Sequence, residues 1–159
     1  MDDLLKILTQ NARESVENIA KMLNSTPQEV EAMISEYEKK GVIRGYQAIV
    51  HKDRLKSNRV TAVIEVKVTP QRKDGFDPIA RRIAAFDEVQ TLCLVSGTFD
   101  LLLFVEGDTL HEVAAFVSEK LAPLEGVTST CSHFMLKTFK YRGLLMEPHE
   151  DYEKLKVSP

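Results

Sequence analysis

The chain has 159 residues, 43% apolar and 28% charged, with 21 Lys and Arg against 24 Asp and Glu. That length holds one ordinary domain or two small ones, at about 100–150 residues per domain, and the apolar fraction excludes wholesale disorder. Apolar runs such as Leu101 to Val105 are far short of the ~20 residues a membrane helix needs, and Met1-Asp2-Asp3 is acidic where an export signal is positive, so a cytoplasmic protein without membrane attachment is expected.

Leu4, Leu5, Ile7 and Leu8 form a first apolar stripe that stops at Asn11. A second stripe, Val16, Ile19, Ala20 and Leu23, follows helical spacing behind Ser15 as N-cap. The third, Val30, Met33, Ile34 and Tyr37, has Thr26 as N-cap, Pro27 at the first helical position, Glu29 closing a capping box and Gly41 as the stop. Only Asn24 and Ser25 separate the second and third helices, and Asn tolerates the left-handed conformation a tight turn needs. Two short helices, a tight turn and a preceding packing helix predict a helix-turn-helix over 1–50; a small bundle that merely packs fits the same residues.

As a helix-turn-helix, the third helix enters a major groove of double-stranded DNA. Ser25, Thr26, Gln28, Glu29, Ala32, Ser35, Lys39 and Arg44 are then the candidate DNA-binding residues. Gln28 suits adenine and a glutamate accepts from cytosine N4. Thr26 to Glu38 holds four glutamates and no Lys or Arg, so phosphate contacts have to come from Lys21, Lys39, Lys40, Arg44 or the next segment. Val42 to Val50 reads as extended, a wing or a connecting strand. Residues 51–59 carry Lys52, Arg54, Lys56 and Arg59 with one apolar residue, Leu55, and form a basic linker.

Val60, Ala62, Ile64, Val66 and Val68 alternate as a half-buried strand ending at Pro70. Asp77-Pro78 is expected to cap a helix with stripe Ile79, Ala80, Ile83 and Ala84. Strands are predicted from Glu88 to Val95 and from Phe99 to Glu106, joined through Ser96-Gly97-Thr98. Asp108 is expected to cap a helix over Leu110, Val113, Ala114, Val117 and Leu121, and a last strand lies within Gly126 to Lys140. This βαββαβ order over 60–140 is the ferredoxin-like plan, so the fold class is α+β, a helix-turn-helix followed by one antiparallel sheet with two helices on one face. In the third strand Phe99, Leu101, Leu103 and Val105 are assigned to one face and Leu102 and Phe104 to the other. The second face has no helix to cover it, which predicts a dimer through Leu102 and Phe104. Residues 141–159 form a mostly polar tail.

No catalytic or metal-binding pattern stands out. His51, His111, His133 and His149 are scattered with no helical i, i+4 pair, no phosphate-binding glycine motif occurs, and Cys131 and His133 share a strand face as ordinary strand residues do. The two cysteines, Cys93 and Cys131, are expected to be free thiols. No cofactor is implied.

Three stretches resemble the Lrp/AsnC (feast/famine) family of transcriptional regulators: Glu38 to Tyr46 is similar to E-x-x-G-V-I-x-G-Y, Ser96 to Leu102 to T/S-G-D-Y-D-L-L, and Leu121 to Val127 to L-x-x-L-x-G-V. The resemblance runs from about residue 2 to 140. It implies a winged helix-turn-helix, a DNA-binding regulator, and a C-terminal module that binds a small effector, commonly an amino acid, between dimers that assemble further. The family's effector loop falls on Gly97, Thr98, Phe99 and Asp100, with Asp100 accepting from an α-ammonium and amides near Gly97 taking the carboxylate. Two positions depart from the family: Thr98 stands where an acid is usual, and the recognition helix is acidic where basic residues are usual. An effector-binding oligomer with little DNA binding therefore stays open, as does a resemblance of the same two-part plan to siroheme decarboxylases, which need His and Arg lining a tetrapyrrole pocket.

Overall fold

A computed structural model describes residues 2–55 and 59–146. The chain divides at Val50/His51 into two compact units.

In the first unit, α1 (Asp3–Gln10), α2 (Val16–Leu23) and α3 (Pro27–Lys39) pack their stripes together. Leu4, Ile19, Ala20 and Val30 are buried at the centre, and Ile7, Leu8, Val16, Leu23, Met33, Ile34 and Tyr37 close around them. Each helix start is satisfied by a side chain: Asp2 accepts from Leu4 N–H, Ser15 from Asn18 N–H and Thr26 from Glu29 N–H. Asn24 adopts φ 51°, ψ 49°, the left-handed turn between α2 and α3. Gly41 at φ +68° ends α3, and the N–H groups of Val42 and Ile43 both donate to the Tyr37 carbonyl.

The segment after Gly41 forms no strand among the described residues. A strand exists only through ladder bonds to a partner, and this unit supplies none. The segment is instead tethered by the Tyr46 hydroxyl, which donates to Glu38 at 3.0 Å.

The second unit contains β1 (Val60–Val68), α4 (Asp77–Ala84), β2 (Val89–Leu94), β3 (Leu101–Gly107), α5 (Leu110–Ala115) running on through a π-helical turn (Phe116–Leu121), β4 (Val127–Phe134), β5 (Lys140–Tyr141) and β6 (Leu144–Leu145). The four long strands form one antiparallel sheet in the order β2-β3-β1-β4, the ferredoxin-like arrangement. Ala62, Ile64, Val66, Leu101, Leu103 and Val105 point to one face, where Ile79 and Ile83 of α4 and Val113, Phe116 and Leu121 of the α5 arm bury them. The Phe86 and Phe116 rings meet edge to face at 5.5 Å.

Several local expectations are corrected. Asp77 is the first helical residue of α4 and not its cap; Phe76 precedes it without a side-chain bond, and Asp77 pairs along the helix with Arg81 at 3.6 Å. Thr109, not Asp108, caps α5: its hydroxyl accepts from Glu112 N–H while the Glu112 carboxylate accepts from Asp108 N–H. The last long strand, Val127–Phe134, lies within the stretch expected for it and pairs with β1 along its length. Lys140 to Leu145 fold as a separate hairpin that begins at the last residue of the 60–140 stretch and runs into the stretch assigned to the tail, its turn made by Arg142 (φ 47°) and Gly143 (φ 88°). Two successive positive φ values are what the tightest hairpin turn requires. Residues 147–159 of the tail and Lys56 of the linker lie outside the described residues.

Candidate functional site

On α3, the residues opposite the buried stripe are Gln28, Ala32, Ser35 and Lys39. At 3.6 residues per turn they fall within about 60° of arc, and all but the half-buried Ser35 are exposed. No acid lies in this stripe. The glutamates flank it, and three of the four have bonding partners within the unit. Glu29 accepts from Thr26 N–H at 2.9 Å, from the Ser25 hydroxyl at 2.6 Å and from the Thr26 hydroxyl at 3.0 Å. Glu36 pairs with Lys40 at 2.5 Å, and Glu38 holds Tyr46. The Ser25 hydroxyl, followed by the Thr26 amide, holds the Glu29 carboxyl below its ordinary range. Ser25, Thr26 and Glu29, three of the eight predicted DNA-binding residues, are thus joined in one capping knot, so Glu29 is already bonded as an acceptor before any base arrives. Arg44 is exposed beyond the end of α3.

The basic junction is less available than its composition suggests. Lys52 and Arg59 both reach Glu106 on β3, Arg59 at 3.8 Å, and Arg59 also bonds Asp108 at 3.2 Å. Arg54 is exposed. A cavity of about 460 Å³ in the second unit lies at this end of β3 between Arg59, Glu106, Asp108, Glu112, Glu119 and Lys120, away from the predicted effector loop.

That loop, 95–100, sits at the other end of β3. Val95 N–H donates to the Asp100 carbonyl, and Asp100 N–H donates to Val66 O. The β1–β4 register shifts between Lys67 and Val68, and Asp100 Oδ2 accepts from Val68 N–H at 2.9 Å. The carboxylate therefore fastens the loop onto β1 at the irregularity. Thr98 and Phe99 border a recess of about 240 Å³ with Glu65, Lys67, Ser129 and Cys131. This placement corrects Phe99: it precedes β3 and belongs with the helix-free face, where Glu65, Lys67, Ser129 and Cys131 stand, not with Leu101 and Leu103 in the core. Gly97 and Asp100 do not line the recess.

The helix-free face carries Leu102 and Phe104, both half-buried, beside Val63. Sequence reasoning assigned no role to Glu65. It stands directly across from Cys131 in the β1–β4 ladder, with His133 Nε2 3.2 Å from its carboxylate and 3.6 Å from Cys131 Sγ. Only strand register brings these three together.

Two family models match the chain, winged helix-turn-helix DNA-binding over residues 3–44 and the Lrp/AsnC ligand binding domain over residues 61–145. The chain is 42% identical to the HTH-type transcriptional regulator YugG of Bacillus subtilis, over 99% of this chain and 95% of that one. It is 30% identical to the proline dehydrogenase transcriptional activator of Rhodobacter capsulatus, over 84% and 86% respectively. Among solved structures, a transcriptional regulator of Neisseria meningitidis in complex with L-Met superposes with a TM-score of 0.67 at 23% identity, covering 89% of this chain and 93% of that one, a likeness of fold.

Proposed function

Because this chain belongs to the Lrp/AsnC family of DNA-binding transcriptional regulators, with a winged helix-turn-helix unit and a ligand-binding unit, we propose that it reads an operator through the acid-free stripe of α3 and that an amino acid binding at the 97–100 loop changes its assembly. The stripe is the observation that carries the reading: Gln28 and Ser35 meet base edges, while Lys39 and Arg44 meet phosphates. With Lys52 and Arg59 paired to acids of their own unit, affinity per site is modest, and assembly of several DNA-binding units supplies the rest.

For the effector, Lys67 in the recess suits a carboxylate. Asp100 lies outside the recess in the same loop, and its Oδ1, the oxygen not bonded to Val68, suits the α-ammonium of a ligand that extends from the recess past Phe99. The apolar centre of the helix-free face, Leu102, Phe104 and Val63, is the surface through which two copies pair, and the loop and recess lie at its edge. Effector binding there favours one assembly over another by its difference in affinity for the two. The L-Met complex of the Neisseria regulator supports an amino acid as the ligand class.

The test is footprinting on DNA around the protein's own gene at low and near-physiological salt, with and without single amino acids. A discrete protected site that survives the higher salt and shifts with one amino acid is expected. Uniform coating at low salt only favours an effector-binding oligomer with little DNA binding.

A further inference from the structure

We propose that Glu65, Cys131 and His133 form a binding site for a divalent transition metal ion such as zinc on the helix-free face of the sheet. One donor atom from each of the three residues lies within 4.8 Å of the other two. Two of the separations already match a metal's needs. Bond lengths of about 2.3 Å to sulfur and 2.0–2.2 Å to nitrogen and oxygen, at tetrahedral angles, place sulfur and nitrogen about 3.6 Å apart and nitrogen and oxygen about 3.4 Å apart. The observed separations are 3.6 Å for Cys131 Sγ to His133 Nε2 and 3.2 Å for His133 Nε2 to Glu65 Oε1. The carboxylate-to-sulfur edge lies within 4.8 Å, so at most a small torsion of side chains not enclosed by the core completes the set.

The ladder under them sets their spacing. Cys131 and His133 are two apart on β4 and share a face, and Glu65 is the direct partner of Cys131 on β1. A thiolate, an imidazole and a carboxylate select zinc-like ions over magnesium or calcium. The thiolate and carboxylate together also neutralise a 2+ ion, so Lys67, further along the same face of β1, meets a site of no net charge. Three protein ligands leave a fourth position. Glu65 and Cys131 both border the recess at Thr98 and Phe99, so that position opens toward it and takes water or a donor atom of a molecule held there.

Cys93 is the built-in control. It lies on the same transverse row, paired to Leu102, which pairs to Glu65, which pairs to Cys131. Three strand spacings of about 4.8 Å separate it from Cys131, too far to share an ion.

The experiment titrates the full chain, stripped with chelator and kept reduced, with Co²⁺ alone. One Co²⁺ per chain is expected, with the visible bands of four-coordinate cobalt and a near-ultraviolet sulfur-to-cobalt transition, and Zn²⁺ displacing it. Cys131→Ser removes the sulfur transition and Cys93→Ser leaves it intact. His133→Ala and Glu65→Ala weaken binding by more than the roughly 10–100-fold that loss of an outer-shell partner costs, with unchanged far-ultraviolet circular dichroism showing that the sheet has formed. A wild-type chain that gives no cobalt spectrum overturns the proposal, and so does a sulfur transition that survives Cys131→Ser or follows Cys93.

Discussion

Single residues set the tightest constraints in this molecule, and Glu29 is one of them. Its carboxylate bonds Ser25 and both the amide and the hydroxyl of Thr26 at the start of α3, and these contacts hold its pKa low in the folded state. A carboxyl depressed by folding contributes stability that is fully present above its unfolded pKa and is lost as pH falls through the lower, folded value. Thermal melts of the full chain between pH 6 and pH 3 should therefore show a shallower acid limb in Glu29→Gln than in wild type, and equal limbs would mean the knot contributes nothing. Asp100 has the contrasting design. Asparagine in its place keeps an oxygen for Val68 N–H and loses only the charge. Asp100→Asn should leave the melting temperature nearly unchanged while lowering amino-acid affinity by roughly tenfold or more, the scale of one charge-assisted hydrogen bond, as read by calorimetry. Unchanged affinity would remove Asp100 from the site.

At the scale of elements, α3 was readable in advance and the sheet was readable only in part. The Thr26-Pro27-x-Glu29 start, the Val30, Met33, Ile34, Tyr37 stripe and the Gly41 stop are local signals, each expressed within one turn of helix. The same locality explains what was missed. Which side chains occupy the glutamates beside the α3 stripe depends on contacts such as Glu38 with Tyr46, and the meeting of Glu65 with His133 depends on a diagonal neighbour on the adjacent strand, 68 positions away. No periodicity reports such a pairing. The π-helical turn after α5, the Lys140–Leu145 hairpin and the inversion of Phe99 to the other face were likewise invisible for want of register. The stripe itself is testable. Lys39→Ala or Arg44→Ala should weaken binding to all sequences alike and reduce the salt slope by about one each. Gln28→Ala or Ser35→Ala should instead change which base is preferred at one position. If the lysine and arginine variants leave both affinity and slope unchanged, the phosphate assignment is wrong.

The whole molecule is two units with separate cores, each built by the alternation of apolar and polar residues that its element type demands. The helix-turn-helix and the βαββαβ plan were both legible, because each depends on elements in chain order. How the helix-free face is covered was not, since a surface of Leu102, Phe104 and Val63 states only that a single chain leaves it open. Placing a charge there separates the possibilities. Phe104→Glu should convert the protein from dimer or larger to monomer by light scattering with its far-ultraviolet circular dichroism preserved, and an unchanged mass would move the interface elsewhere. Among the described residues no helix is long and apolar enough to cross a membrane.

If α3 reads an operator as proposed, the glutamates that flank its stripe would have one more effect, on where the protein spends its time. Non-specific binding is nearly all phosphate contact, so acids on either side of the stripe weaken every misaligned encounter with bulk DNA more than they weaken the one seating in which Gln28, Ser35, Lys39 and Arg44 are all engaged. A chromosome is then a smaller sink for this protein than for a regulator with a basic helix. On that reading fewer copies per cell would suffice to keep an operator filled, and a modest change in effector concentration would reach the operator without first being absorbed by a reservoir of chain stranded elsewhere on the genome.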